Sequence, residues 1–470
     1  MSVAAVGKRT SRFDRSIVEG PIGPAVWRLA WPTLLQNVIA GLQGIIDHAM
    51  VGHFVGYAAN AAIGVSWQII LVFIVFISSL FTGMGVLVAR FAGADDQEKV
   101  DRVVYQALLT TVGLAALLAA AGYLGAPALL ELVNAAPEVR AQALPFIRVM
   151  FVGMVGMLLF FMLGGALRAA GDARTPLRLG LAMTVLTITF NVILIPPFGT
   201  LGAAVGTVAS STLVGLYGLW LLTRPASVIH IGRGVARRPD FAIIRSLFRF
   251  GLPTGVQGIA MNVGGVLLLR FIGSLEKSAE AQAAFAVGYT ELFSLVTWTS
   301  VGLMGAAATI AGQNLGAGNP ERAVAGVRVA SRIGLGLALV IGLAFLAVPR
   351  YLLAVFGMTD PAVAALGVQL LRYLAVSGLF ITVALSYTGG LQGTGDTRSP
   401  LYISIVSQVI VPLGLCTVFQ TFGALEAPEI WSAIVLGHIT RCLLSVGRFR
   451  QRKWQDIRVE IEPARRVEEA

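Results

Sequence analysis

Cysteine and charged residues are both scarce in this sequence of 470 residues. The two cysteines, Cys416 and Cys442, lie in or at the end of apolar segments, so neither a disulfide framework nor a cysteine-based metal site is expected. Only 13% of the residues are charged, whereas a soluble domain carries about 25%. Together with 56% hydrophobic residues and a mean hydropathy of +0.80, this deficit predicts an integral membrane protein.

Motifs of energy-converting and metal-dependent enzymes are missing as well. The sequence has no phosphate-binding loop ending in Gly-Lys-Ser/Thr, which excludes an ATP-driven pump. Its one paired acid, Asp95-Asp96, stands in a DDQEK turn and not in the acid-rich loops with which a membrane prenyltransferase holds Mg²⁺ and a diphosphate. We therefore expect no enzyme, no organic cofactor and no metal site.

Apolar runs recur along the chain, and each is long enough to cross a bilayer as an α-helix of about 20 residues. We predict an all-α membrane protein with twelve transmembrane helices. The predicted spans are 27–54, 60–89, 103–126, 143–167, 177–198, 201–223, 249–273, 283–312, 330–356, 364–391, 400–422 and 430–447.

A basic segment divides the twelve spans into two groups of six. We predict an N-terminal segment (1–26), an N-lobe (27–223), a linker (224–248), a C-lobe (249–447) and a tail (448–470). Basic residues cluster in the connections that follow even-numbered spans, which predicts an inner-membrane protein with cytoplasmic termini, linker and tail. Because the net charge of +11 is spread over these connections and does not form one soluble face, we expect no nucleic-acid partner.

The two halves are an internal repeat. Segment 171–177 reads GDARTPL and segment 395–401 reads GDTRSPL, and Pro32 recurs as Pro253 at nearly the same spacing. Since each half has six spans, both enter the membrane in the same sense, which predicts two lobes around a central cleft. The glycine before and the proline after Asp172 and Asp396 indicate that these acids cap a helix start.

Asp47 lies far inside the first span. A carboxyl group at membrane depth costs roughly 2.5–3.5 kcal/mol on insertion scales, so such residues commonly serve an ion, a proton or a ligand. The equivalent position in the second half is Leu268, so the repeated scaffold does not require the acid. We interpret Asp47 as the ion-coupling residue of a transporter; the alternative is a buried acid satisfied by its neighbours. Pro32 is expected to let the same helix bend.

These features together resemble the multidrug and toxic compound extrusion (MATE) family. The repeated GD-x-R-T/S-PL turn carries the resemblance, and segment 47–53, DHAMVGH, is similar to the D-T-A-x-x-G-H pattern of its DinF-like branch. The resemblance implies export of small organic, often cationic compounds, driven by entry of H⁺ or Na⁺ through alternating access. The first-span aspartate of the family falls on Asp47.

Departures from the family pattern bear on the coupling ion. The NorM-like branch has an acid in span seven where this chain has the neighbourhood of Asn262. Other members have an Asn-x-x-x-Asp pair in span five, where this chain has Asn191 but Ile195 in place of the acid. A multi-acid Na⁺ site is therefore poorly supported. Proton coupling through Asp47, with Asn191 as a hydrogen-bond partner, is the hypothesis.

Several further residues are candidates for the substrate cleft. They are polar, acidic or methionine side chains within the spans: Gln36, Asn37, Met50, Gln257, Asn262 and Glu291. Glu291 either faces the cleft, attracting cations or carrying a second proton, or lies near the outer end of span eight, solvated or paired with Arg270. The Met and Phe residues of span four, such as Met157 and Phe161, either line a promiscuous pocket or pack a helix that is apolar all round.

Two alternative functions stay open. One is a Na⁺-coupled drug antiporter, and the other is a flippase of the same superfamily that moves lipid-linked precursors. Such flippases have extra spans or several basic residues lining the cleft, whereas the spans here hold few. We expect a monomer in the lipid bilayer with small-molecule substrates.

Overall fold

The computed structural model describes residues 12–55, 57–133, 137–225, 227–231, 238–423, 425–459 and 461. The description leaves out the side chains at 42, 44–49, 52–54 and 57–61. The predicted coupling residue Asp47 is one of these residues. Its backbone belongs to a described helix, and its side chain lies outside the described part.

All regular structure in the described residues is helical, and twelve long helices follow one another. They are α1 (Ile22–Phe54), α2 (Tyr57–Gly93), α3 (Gln97–Leu132), α4 (Pro137–Ala169), α5 (Arg174–Phe198), α6 (Thr200–Leu222), α7 (Phe241–Gly273), α8 (Ser278–Gly316), α9 (Pro320–Ala347), α10 (Pro361–Thr394), α11 (Arg398–Thr421) and α12 (Ala427–Arg450). Short helices at Ser16–Glu19, Pro349–Val355 and Lys453–Asp456 lie outside this set.

Length and composition suit these helices to a bilayer. Eleven of them, α2 to α12, contain described stretches long and apolar enough to span it. The remaining helix, α1, has 33 residues, which at 1.5 Å per residue exceeds the ~30 Å hydrocarbon core. The predicted all-α fold with twelve membrane helices is confirmed.

Some helices begin before the predicted spans. The predicted span seven starts at residue 249, but α7 begins at Phe241, because the Asp240 side chain accepts hydrogen bonds from the backbone N–H groups of Ala242 (3.0 Å) and Ile243 (3.4 Å). Similarly, α1 begins at Ile22 and not at residue 27. Hydropathy indicates the apolar part of a span, whereas the helix itself can begin in the polar residues before it, as at Asp240, where a side-chain cap fixes its start.

Two C-lobe helices are not uniform. In α8, residues Ala286–Leu292 form a π-helical turn, and in α11 residues Ile405–Ile410 form another. The sequence analysis treats both spans as continuous α-helices, since a π turn has no strong sequence pattern. Such turns are frequent at functional sites.

The duplicated turns have the same conformation in both lobes. Gly171 and Gly395 have φ of +100° and +99°, a left-handed conformation that favours glycine. After them, the Asp172 carboxylate accepts hydrogen bonds from the next helix start, and Asp396 does the same. The predicted capping role is confirmed. Asp396 additionally forms an ion pair of 2.8 Å with Arg448.

The lobes are packed together where α2 and α8 end. A Cβ atom added to Gly93 would overlap the carbonyl oxygen of Gln313, and one added to Gly316 would overlap that of Arg90. These two contacts are equivalent in the internal repeat, so the crossing is pseudo-symmetric. We call this side of the molecule, where α2, α4, α8 and α10 end near both terminal segments, the terminal face.

Candidate functional site

A cavity of about 550 Å³ lies within the N-lobe. Its walls come from α1, α2, α4, α5 and α6, and Trp298 of α8 is the C-lobe residue among the described lining. The apolar wall includes Trp67, Phe146, Met157, Phe160 and Phe161. No described lining residue carries a charge, and the volume suits a small organic molecule.

Polar groups on the cavity wall tie three helices together. Thr184 of α5 donates a hydrogen bond of 2.8 Å from its hydroxyl to the Gln43 side chain of α1. Asn37, also on α1, donates from its amide to the backbone carbonyl of Trp298 at 2.9 Å. The first of these bonds lies within the N-lobe and the second crosses to the C-lobe. Helix α1 is therefore held on two sides along the cavity.

The cavity floor lies toward the terminal face. There, Nη1 of Arg168, at the end of α4, is 3.5 Å from Oε1 of Gln36. The lobes meet directly beneath, since the Thr309 hydroxyl donates to the carbonyl of Arg168 at 3.2 Å and the Gln313 amide donates to that of Ala169 at 2.8 Å. Between described residues of the two lobes, hydrogen bonds are confined to the terminal half, with Asn37–Trp298 the most distant from the terminal face.

Asn191, the predicted partner of Asp47, is buried and lines the cavity. It lies on α5 against Gly206 of α6, where an added Cβ atom would overlap its Oδ1. On α1, Gln43 and Val51 both line the cavity, and residue 47 is the position midway between them. The Asp47 side chain itself lies outside the described part of the structure.

The other predicted cleft residues are distributed differently. Gln36 and Asn37 line the cavity, whereas Met50, Gln257, Asn262 and Glu291 are not among its lining residues. Met50 packs against the N-lobe core. Gln257 is buried in the C-lobe and donates to the Ser404 hydroxyl at 2.8 Å.

The last two candidates, Asn262 and Glu291, are exposed. Asn262 bonds to the carbonyl of Gly258 within its own helix at 2.9 Å. Glu291 belongs to the π-helical turn of α8, and in the described part of the chain no ion pair joins it to Arg270. Pro32 lies inside α1, which is helical on both sides of it.

Sequence reasoning missed part of the polar wall. Gln43 follows Gln36 by two helical turns, so a search for a polar stripe along span one would have found it. Thr184 and Thr207 could not be singled out, because threonine is unremarkable in a membrane helix, where its hydroxyl bonds to its own backbone. Met157, Phe160 and Phe161 of span four line the cavity. Other residues of that group, Met150, Phe151, Met154 and Met162, are buried in the lobe core, so each of the two interpretations holds for part of the span.

The two lobes of six long helices, with a cavity in the N-lobe, define a polytopic membrane protein built on a repeat. The chain belongs to the MatE family, whose model matches residues 32–193 and 253–418, one match in each lobe. This confirms both the MATE resemblance and the internal repeat.

Named relatives cover nearly the whole chain. The "Probable multidrug resistance protein NorM" of Thermotoga maritima is 24% identical over 438 residues, covering 91% of this chain and 92% of that protein. Its namesake in Deinococcus radiodurans is 29% identical over 452 residues, covering 91% and 95%.

Solved structures share the fold. One described as "Crystal structure of MATE in the straight conformation" has a TM-score of 0.86 at 21% identity and covers 94% of this chain and 99% of that one. A "MOP superfamily transporter from Pyrococcus furiosus", described as having a binding pocket of reverse polarity, has a TM-score of 0.85 at 21% identity, with coverage of 94% and 98%.

Proposed function

We propose that this protein is a multidrug efflux transporter that exports small organic compounds in exchange for protons. The N-lobe cavity of about 550 Å³ is the observation that carries the proposal. It combines an apolar, aromatic and methionine-containing wall with a few hydrogen-bonding groups, the composition of a site that accepts varied apolar molecules. Membership of the MatE family and relatives named multidrug resistance proteins support it.

Coupling is assigned to Asp47. The helical register of α1 supports this, because position 47 falls between the cavity-lining residues Gln43 and Val51. A carboxylate there would bind either a proton or an organic cation. Once protonated it is neutral, so it no longer attracts the cation. Proton binding would therefore release a cationic substrate, which is the exchange an antiporter needs. Asn191 on the opposite wall is the proposed hydrogen-bond partner of the acid.

Alternating access is assigned to the contact between the lobes. By the distribution of basic residues the terminal face is cytoplasmic, so a structure closed there is the outward-facing state. To face inward, the lobes must part at Thr309–Arg168 and Gln313–Ala169 and at the glycine contacts of α2 and α8. We further infer an inner-membrane location, both termini in the cytoplasm and a monomer as the working unit.

A test uses purified protein in liposomes and follows a cationic dye under an imposed pH gradient or an imposed Na⁺ gradient. The expected result is dye movement with the pH gradient alone, and its loss in Asp47→Asn. Glu131→Gln, which changes an exposed acid at the end of α3, is the matched control and should transport normally. Movement driven by Na⁺ alone, or coupling that survives in Asp47→Asn, would refute the proton mechanism. Transport of a lipid-linked precursor without dye movement would favour the flippase.

A further inference from the structure

The interior of the C-lobe contains an arginine that has no counter-charge among the residues the structure describes. Arg441 of α12 is 3% exposed, its Nε atom has no hydrogen-bond partner, and among the described residues no ion pair involves it. Asp396, just after α10, binds Arg448 instead. A buried cation without a counter-charge is strongly unfavourable in a low-dielectric interior, and ionisable groups within membrane helices usually mark ion or substrate sites.

The groups next to Arg441 on α12 are also buried and unsatisfied. His438, one turn earlier, is 2% exposed, and its Nδ1 atom has no partner in the described structure. Ser445, one turn later, is fully buried, and its hydroxyl likewise has none. Residues at this spacing share one helix face. Buried polar groups are nearly always hydrogen-bonded, so three in a row indicate a missing ligand.

Two further helices face this stripe. The His438 ring stacks on Phe293 of α8, with ring centroids 5.8 Å apart, and the ring of Tyr289, in the π-helical turn of α8, lies 5.5 Å from the same Phe293 ring. Helix α10 packs along α12, and its Ser377 has another fully buried hydroxyl without a partner among the described residues. This part of the C-lobe therefore holds several buried groups that could donate hydrogen bonds, and no described carboxylate forms an ion pair with Arg441.

The polar residues around Arg441 have no counterpart in the repeated N-lobe. In the register that aligns the two GD turns, the N-lobe positions equivalent to Arg441 and His438 are Tyr217 and Val214. Tyr217 is 52% exposed, so its position in the N-lobe is a surface one. The charge is thus a feature of the C-lobe alone.

We propose that the C-lobe binds one small monovalent anion, a halide or a short carboxylate, against the guanidinium of Arg441. Tyr289, His438 and Ser445 supply further donors, and the packing of the buried Phe293 ring against Tyr289 and His438 restricts the site to a small ion. A guanidinium binds carboxylates and halides through charge-assisted hydrogen bonds. The anion neutralises the buried cation, and this site is separate from the N-lobe cavity and from Asp47.

Thermal unfolding of the purified full-length protein tests the site. Chloride, bromide or formate would be titrated against gluconate, an anion too large for the site, at constant Na⁺ concentration and ionic strength. The expected result is a saturable rise of the unfolding midpoint with at least one small anion and none with gluconate. A response to chloride and bromide but not to formate identifies a halide site, and the reverse identifies a carboxylate site. A rise that does not saturate, or that gluconate reproduces, would overturn the proposal.

Variants localise the effect. Arg441→Gln should weaken the apparent affinity at least about tenfold, whereas Arg372→Gln, an exposed arginine of α10, should leave it unchanged. If Arg441→Gln does not fold, Arg441→Lys can replace it. Lysine keeps the positive charge but lacks the planar set of guanidinium donors, so this variant should bind the anion more weakly than the wild type. Independently, crystals of the wild-type protein grown in bromide should show an anomalous peak beside Arg441. The absence of this anomalous peak, together with no saturable response to formate in thermal unfolding, would contradict the proposed anion site.

Discussion

Arg168 and Gln36 of the N-lobe form a contact that recurs in the C-lobe between two uncharged residues, Gln392 and Gln257. Nη1 of Arg168 lies 3.5 Å from Oε1 of Gln36, and Nε2 of Gln392 lies 3.5 Å from Oε1 of Gln257. The internal repeat makes the two pairs equivalent, since Gln392 answers Arg168 and Gln257 answers Gln36. The N-lobe thus keeps a shared polar contact between its first and fourth helices and adds a cation next to Gln36, which lines the cavity.

That cation should oppose the binding of organic cations. A positive charge close to the cavity repels a second positive charge that binds there, and each kcal/mol of repulsion weakens binding about fivefold. We therefore expect Arg168→Gln, which recreates the C-lobe pair, to bind a cationic dye several-fold more tightly in a fluorescence titration. Arg174→Gln, an exposed arginine of the following turn, should have no effect. Weaker dye binding in Arg168→Gln would instead make the arginine part of the substrate site.

Alanine at either crossing glycine should destabilise the closed terminal face. An added methyl group at Gly93 or Gly316 would overlap a backbone carbonyl of the facing helix, which cannot move aside like a side chain. Overpacking of this kind typically costs about 1–3 kcal/mol. We expect Gly93→Ala and Gly316→Ala to lower the unfolding midpoint and to expose terminal-face residues to a membrane-impermeant thiol reagent, after a cysteine is placed there.

Controls for these variants exist on the same two helices. At Gly85 of α2 and Gly305 of α8, an added Cβ atom would meet no atom within 4 Å. Gly85→Ala and Gly305→Ala should therefore not lower the unfolding midpoint or increase labelling, since alanine has a higher helix propensity than glycine. A similar loss of stability at all four glycines would show that the crossing contacts are not its cause.

Trp298 should contribute to substrate binding from the C-lobe. It lines the N-lobe cavity while its side chain is 57% exposed, so its removal leaves the fold intact. Stacking on an aromatic ring gives about 0.5–1.5 kcal/mol beyond area burial, and we expect Trp298→Ala to weaken binding of an aromatic dye about two- to tenfold. Leu295→Ala, which is 52% exposed on the same helix and does not line the cavity, is the control. Dye binding unchanged in Trp298→Ala would place the substrate elsewhere.

Sequence patterns predicted the elements whose signals are local. Long apolar runs located the twelve helices, and the glycine and aspartate of each GD turn located the two caps. They did not predict where polar side chains find partners, because those contacts join distant residues. Gln257 was expected in the cleft, yet its partner Ser404 is 147 residues away. The π-helical turns and the unpaired state of Arg441 likewise depend on tertiary packing.

The tail after α12 should stabilise the closed terminal face. Trp454 is fully buried, donates from its indole to the carbonyl of Phe449 at 2.8 Å and stacks on that ring with centroids 4.9 Å apart. Shortly after it, the carbonyl of Ile457 accepts a hydrogen bond of 2.8 Å from Arg90 of α2, so the tail links the C-lobe to the N-lobe.

Removing the indole should loosen that link. Truncation of a buried tryptophan to alanine lowers the free energy of unfolding by about 3–5 kcal/mol. Here it should also weaken the contact between the lobes, because the tail positions the Ile457 carbonyl for its hydrogen bond with Arg90. We expect Trp454→Ala to lower the unfolding midpoint and to increase thiol labelling of the terminal face, while Lys453→Ala, at an exposed neighbour, changes neither. If Trp454→Ala lowers stability without increasing labelling, the tail supports the C-lobe alone and does not bridge the lobes.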